Sequence, residues 1–92
     1  MYVVVVYDIS LDEKGTYHWK KIFQICKRYL HHIQNSVFEG ELSEVDIKRL
    51  KYEVSNYIRD NLDSFIIFKS RNERWMEKEM LGIQEDKTDN FL

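Results

Sequence analysis

Proline is absent from this sequence, and cysteine occurs once, at Cys26. A single thiol excludes an internal disulfide and fits a reducing compartment. Glycine is scarce as well: Gly15, Gly40 and Gly82 stand too far apart to cradle a phosphate or a dinucleotide, and no Gly-x-Ser-x-Gly elbow presents a serine nucleophile. Zinc-ligand spacing is missing too, because His31 and His32 are adjacent and neighbours on a strand point to opposite faces. The longest apolar run after Met1, Tyr2 to Tyr7, is far short of the roughly 20 residues a membrane helix needs. It has no basic flank and no small-residue cleavage site, so it does not read as a signal peptide. The expected location is the cytoplasm, with no membrane partner. Neither sign of charge dominates: 14 basic and 16 acidic residues leave a net charge of -2. Nucleic acid is not attracted globally, and binding it would need a local patch or a partner.

What is present is a compact alternation of patterns over 92 residues, read as one domain spanning 1–92. Met1 to Ile9 is expected to be a strand, with valine and tyrosine on both alternating sets, so both of its faces need cover. Ser10 and Asp12 supply capping chemistry, and Glu13 follows Ser10 at the capping-box spacing. A helix is predicted from about Lys14 to Leu30, with Trp19, Ile22, Phe23, Cys26 and Leu30 as its core stripe. Lys14, Lys20, Lys21, Lys27 and Arg28 fall within an arc of roughly 140° on its other side. His31 to Glu39 reads as a second strand, closed by a turn at Gly40. Ser43 then caps a second helix running to about Arg59, with Ile47, Leu50, Val54 and Ile58 facing the core. Asp63 to Lys69 is the third strand. Residues 73–81 suit either a helical turn or an edge strand, and 88–92 a short terminal strand.

This order corresponds to an α+β, ferredoxin-like split βαβ sandwich, with the first and third apolar runs as central neighbours and an additional C-terminal strand. Two helices can cover only one side of such a sheet. The other side, carrying Val4, Val6, Ile66 and Phe68 or their alternates, needs a different cover, and the simplest is the same face of a second copy. A two-fold homodimer through the sheet faces is therefore expected.

Asp8 is the most informative position, because it closes an apolar strand at its carboxyl end. It either caps the following loop with Ser10 or serves as a catalytic ligand for a divalent metal, magnesium or manganese. One carboxylate makes half a site, and a two-fold axis passing near it would bring the second. Two carboxylates that close repel unless a cation or a bound proton relieves them. The basic helix face is either only solvated or, with Arg71 and Arg74, a surface that tracks phosphates. Cys26, within the apolar stripe, reads as a small buried hydrophobe rather than a nucleophile.

Four stretches taken together, VVVVYDIS, HIQNSVFEGEL, DSFIIFKSR and LGIQEDKTDNFL, closely resemble the CRISPR-associated protein 2 family over essentially the whole chain. The resemblance implies a ferredoxin-like homodimer whose C-terminal segment, here 82–92, packs on the partner protomer. It also implies assembly with the integrase CRISPR-associated protein 1, and a metal bound between protomers by the aspartate matching Asp8, in members described as endonucleases of RNA or DNA. Many members carry arginines soon after that aspartate, whereas this chain has KGTYHWKK, with Lys14, His18, Lys20 and Lys21. A lysine grips phosphate as a point charge, without the two-pronged geometry of a guanidinium. Three functions follow in order: a spacer-acquisition subunit that bridges the integrase and holds duplex DNA; a magnesium-dependent endonuclease of DNA or of single-stranded RNA, compatible with the first; and a ferredoxin-like regulator binding a small molecule.

Overall fold

The computed structural model describes residues 1–72, 74 and 76–82. The order of elements is β1 (Tyr2–Asp8), α1 (Gly15–Tyr29), β2 (His31–Gln34), β3 (Val37–Glu41), α2 (Glu44–Ser55) and β4 (Ser64–Ser70). The four strands form one sheet in the order β2-β3-β1-β4, with every neighbouring pair antiparallel. This is the ferredoxin-like arrangement expected from the sequence.

One strand becomes two. The run expected as a single strand over His31 to Glu39 folds back on itself at Asn35, which adopts a φ of 39°. Asparagine tolerates that left-handed conformation better than most residues, and glycine is not required for the turn. Gly40 is accordingly not a turn residue: it lies buried inside β3, where a Cβ would come within 3.0 Å of Leu30 Cδ2. The hairpin also changes which strands are central. β1 does pair with the third apolar run, but that run is β4, an edge strand, and the second central position belongs to β3.

The period of two along β1 separates the faces of the sheet. Val3, Val5 and Tyr7 are buried beneath the helices, together with Phe38 from β3. From α1 come Ile22, Ile25, Cys26 and, just after it, Leu30; from α2 come Ile47, Leu50 and Val54. Ile25 was not part of the expected stripe, and Trp19 and Phe23 pack at its margin. α2 begins as predicted, with Ser43 Oγ accepting from the Asp46 N–H at 3.1 Å, but it ends at Ser55 rather than near Arg59. Ile58 still packs against the core from the segment that follows. Burial pushes the Cys26 thiol up to about 12, which keeps it protonated and inert at neutral pH.

On the opposite face, Val4 stands across from Phe68 and Val6 across from Ile66. Neither helix reaches them, and Ile66 and Phe68 are 47% and 52% exposed in the single chain. Residues 76–81 lie over the other half of this face, beside Tyr2, Val4, Ile33, Val37 and Glu39, and Lys78 pairs there with Glu39. Residues 76–81 form neither helix nor strand. The strand expected over 88–92, and nearly all of the 82–92 segment, lie outside the described residues.

Phe38 is fully buried and touches the rings of Tyr7, Phe23 and His32. Phe38→Ala should therefore lower stability by about 3–5 kcal/mol. Urea denaturation at fixed protein concentration would read this as a lower midpoint, and an unchanged midpoint would contradict this packing.

Candidate metal and nucleic-acid site

The sheet is uneven at the end where β1 finishes. Pairing with β3 stops at Val6–Val37, whereas pairing with β4 continues to Asp8–Ser64. Asp8 thus sits at an open corner, on the same face as Val4, Val6, Ile66 and Phe68. It is exposed, and its carboxylate has no hydrogen-bond or ion-pair partner among the described residues.

The loop that follows is held by other groups. Arg59 donates from Nη1 to both Asp12 carboxylate oxygens, at 2.7 and 2.9 Å, and from Nη2 to the Ser10 carbonyl at 2.8 Å. Its Nε donates to Asp63 Oδ2 at 2.9 Å, and Asp63 Oδ1 accepts from the Ser10 N–H at 2.9 Å. Arg59 is pushed above its ordinary value by hydrogen bonds to Asp63 and then to Asp12. Hydrogen bonding from Arg59, aided by the backbone N–H groups of Ser10 and Arg59, brings Asp63 down to about 2.

This clamp corrects the expected capping box. Ser10 and Glu13 do not cap α1: its N-cap is Lys14, with no side-chain cap, and the Lys14 N–H donates instead to Asp12 Oδ1 at 3.1 Å. The loop and helix also approach too closely for a side chain at Gly15, where a Cβ would lie 2.1 Å from the Ser10 carbonyl oxygen. The sequence reading missed Arg59 and Asp63, although their i,i+4 spacing in RDNLD is the kind of signal that marks such a pair.

None of the predicted basic residues pairs with the Asp8 carboxylate among the described residues. Lys14, Lys20 and Lys27 are exposed along α1 and have no ion-pair partner among the described residues. Lys21 is half-buried, with its ammonium 5.5 Å from the Tyr17 ring centre. Arg28 is engaged by Glu53, which also accepts from the Tyr29 hydroxyl; those two hydrogen bonds lower the Glu53 carboxyl. Arg71 and Arg74 are exposed beyond β4, whose last residue, Ser70, pairs with Tyr2 at the other end of the sheet. At ~3.4 Å per residue, the strand separates them from Asp8 by about 20 Å.

A divalent cation would fit Asp8 chemically, since magnesium accepts one or two carboxylates and completes its shell with water. Among the described residues, however, no three His, Cys, Asp or Glu side chains are placed to hold a metal. Asp8 supplies one carboxylate at this corner. Beside it opens a cleft of ≈ 350 Å³ lined by Asp8, Ile9, Leu11, Thr16, Trp19 and Ser36.

Residues 1–78 match the family described as CRISPR associated protein Cas2. A protein of Fusobacterium nucleatum subsp. nucleatum named CRISPR-associated endoribonuclease Cas2 is 90% identical over 92 residues, covering 100% of this chain and 87% of that protein. A protein of the same name from Dictyoglomus turgidum is 35% identical, with 100% of both chains covered. Among solved structures, Streptococcus pyogenes Cas2 at pH 6.5 superposes with a TM-score of 0.80 at 25% identity, covering 89% of this chain and 100% of that one.

The clamp should be visible in acid stability. Asp63 titrates at about 2 in the folded chain, against an unfolded value of ~3.9. Its contribution is therefore fully present above about pH 4 and is lost as pH falls through about 2. Asp63→Asn should be less stable than the wild type at pH 7, and the gap between their urea midpoints should narrow steadily from pH 5 to pH 2. A gap that stays constant over this range would contradict the clamp.

Proposed function

The chain belongs to the Cas2 family of CRISPR-associated proteins, and we propose from that premise that it acts as a two-fold dimer which cleaves single-stranded RNA at a site made from the Asp8 carboxylates of both copies. The observation that carries this is the state of Asp8. It is an exposed strand-end carboxylate with no partner among the described residues, on the face left bare by the helices. The adjoining acids are different: Asp12 and Asp63 are both consumed by Arg59. The names of the relatives at 90% and 35% identity supply the reaction class.

Within this dimer the two Asp8 carboxylates would hold magnesium or manganese, which supplies neutralisation of charge on the phosphate oxygens. The remaining work belongs to the chain. The Arg59 clamp fixes the loop after Asp8, so the carboxylate is presented from a rigid strand end. Val4, Val6, Ile66 and Phe68 dock against the same residues of the second copy and bring the two carboxylates together.

A second role, compatible with the first, is favoured by the exposed Lys14, Lys20 and Lys27 along one side of α1. Exposed point charges suit contact with the phosphates of duplex DNA without reading its sequence. In this role the dimer is the spacer-acquisition subunit that bridges the integrase CRISPR-associated protein 1. Nothing in the geometry favours the regulator reading over these two.

Asp8→Asn should lower magnesium-dependent cleavage of a labelled single-stranded RNA by roughly 100-fold or more, and a chelator should do the same to the wild type. Phe68→Glu should convert the dimer to a monomer by light scattering and abolish cleavage with Asp8 intact. A wild type that cleaves equally well as a monomer would rule out the shared site. For the second role, affinity of the integrase-bound complex for duplex DNA should fall steeply with salt, and Lys20→Ala should make that slope shallower by about 1. A salt-independent affinity would remove the phosphate contacts.

A further inference from the structure

We infer that the cleft beside Asp8 is a subsite for one unpaired nucleobase, seated against Trp19 and walled by Leu11; this rests on the RNA-cleaving role proposed above. The cleft, ≈ 350 Å³, falls at the lower end of the ~300–1,000 Å³ typical of small-ligand sites. Its lining shows what kind of group it takes. Two aliphatic side chains and an indole are accompanied by the hydroxyls of Thr16 and Ser36, and the sole charge is the Asp8 carboxylate. No lysine or arginine lines it, so a phosphate would meet only a negative group there. A flat, neutral, partly polar ring meets apolar walls and hydroxyls instead.

The indole is pre-set for this task. Trp19 Nε1 donates to Ser36 Oγ at 3.3 Å, Phe23 stacks on the ring at 5.1 Å, and Tyr7 meets it edge-on at 6.3 Å. A ring already fixed on three sides loses little freedom when a base lies against it. Leu11 stands at the mouth, 75% exposed, on the loop that Arg59 clamps through Ser10 and Asp12. Its side chain is therefore held in water on a rigid support, where an incoming base would cover it. In a duplex the bases are already stacked, so this subsite selects single strands.

The test is binding rather than cleavage. A labelled single-stranded RNA of about ten nucleotides is titrated, in chelator, against the wild type, Trp19→Phe, Trp19→Leu and Leu11→Ser, with circular dichroism to verify each fold. Trp19→Leu should weaken binding about 5- to 150-fold, and Trp19→Phe, which keeps an aromatic face, should restore most of it. Leu11→Ser, at a position too exposed to endanger folding, should weaken binding by several-fold. A duplex of the same sequence should bind all four proteins alike. Equal affinity of the wild type, Trp19→Leu and Leu11→Ser for the single strand would overturn the base subsite and leave the cleavage role standing. A wild type that binds no single strand would likewise overturn the base subsite, and the cleavage role it rests on is read separately from magnesium-dependent cleavage by the wild type and Asp8→Asn.

Discussion

Two helices packed on the same side of a four-stranded sheet leave the other side to residues 76–81 over one half and uncovered around Ile66 and Phe68, and most of the molecule follows from that imbalance. The helix side takes Val3, Val5, Tyr7 and Phe38 and closes over them fully. On the bare side, Val4 and Val6 meet Phe68 and Ile66 as directly opposed pairs. Because a strand alternates strictly, Asp8 falls on this side too, two residues beyond Val6. An apolar patch and an unengaged carboxylate thus share one surface, so an event that covers the first also decides the environment of the second.

The charged loop beside that surface is arranged so that Asp8 stays available. Arg59 answers both Asp12 and Asp63 and takes the Ser10 carbonyl as well, which satisfies the loop internally. The buried Asp63 carboxylate would be costly alone, and its guanidinium and backbone donors remove that cost. Gly15 completes the fit by letting the start of α1 lie directly against Ser10. Asp8 is spared because its neighbours satisfy one another.

The sequence made the two helices legible through their apolar stripes, and β1 and β4 through runs of valine, isoleucine and phenylalanine. The bare face was legible as well, from the mismatch between two helices and a two-sided apolar sheet. The β2–β3 hairpin was not, because HHIQNSVFEGE carries its turn on an asparagine while its glycine sits inside a strand to make room for Leu30. For the site, Asp8 stood out as a charge ending an apolar strand. The clamp around it was hidden, since Arg59 and Asp12 are 47 positions apart and only folding brings them together. The same is true of the cleft, where Ser36 and Trp19 meet through a hydrogen bond that no local pattern announces.

The register of β1 also bears on how the chain comes into being. β1 precedes both of its partners in the chain: one flank waits for β3 and the other for β4, whose last residue, Ser70, pairs with Tyr2. Val3 to Val6 therefore stay unpaired until β3 follows, and are flanked on both sides only once β4 has formed. Contacts this distant in sequence form slowly and leave an adhesive strand exposed in the interval. A strand placed ahead of both its partners is thus the part of this sheet most open to mispairing while the chain folds.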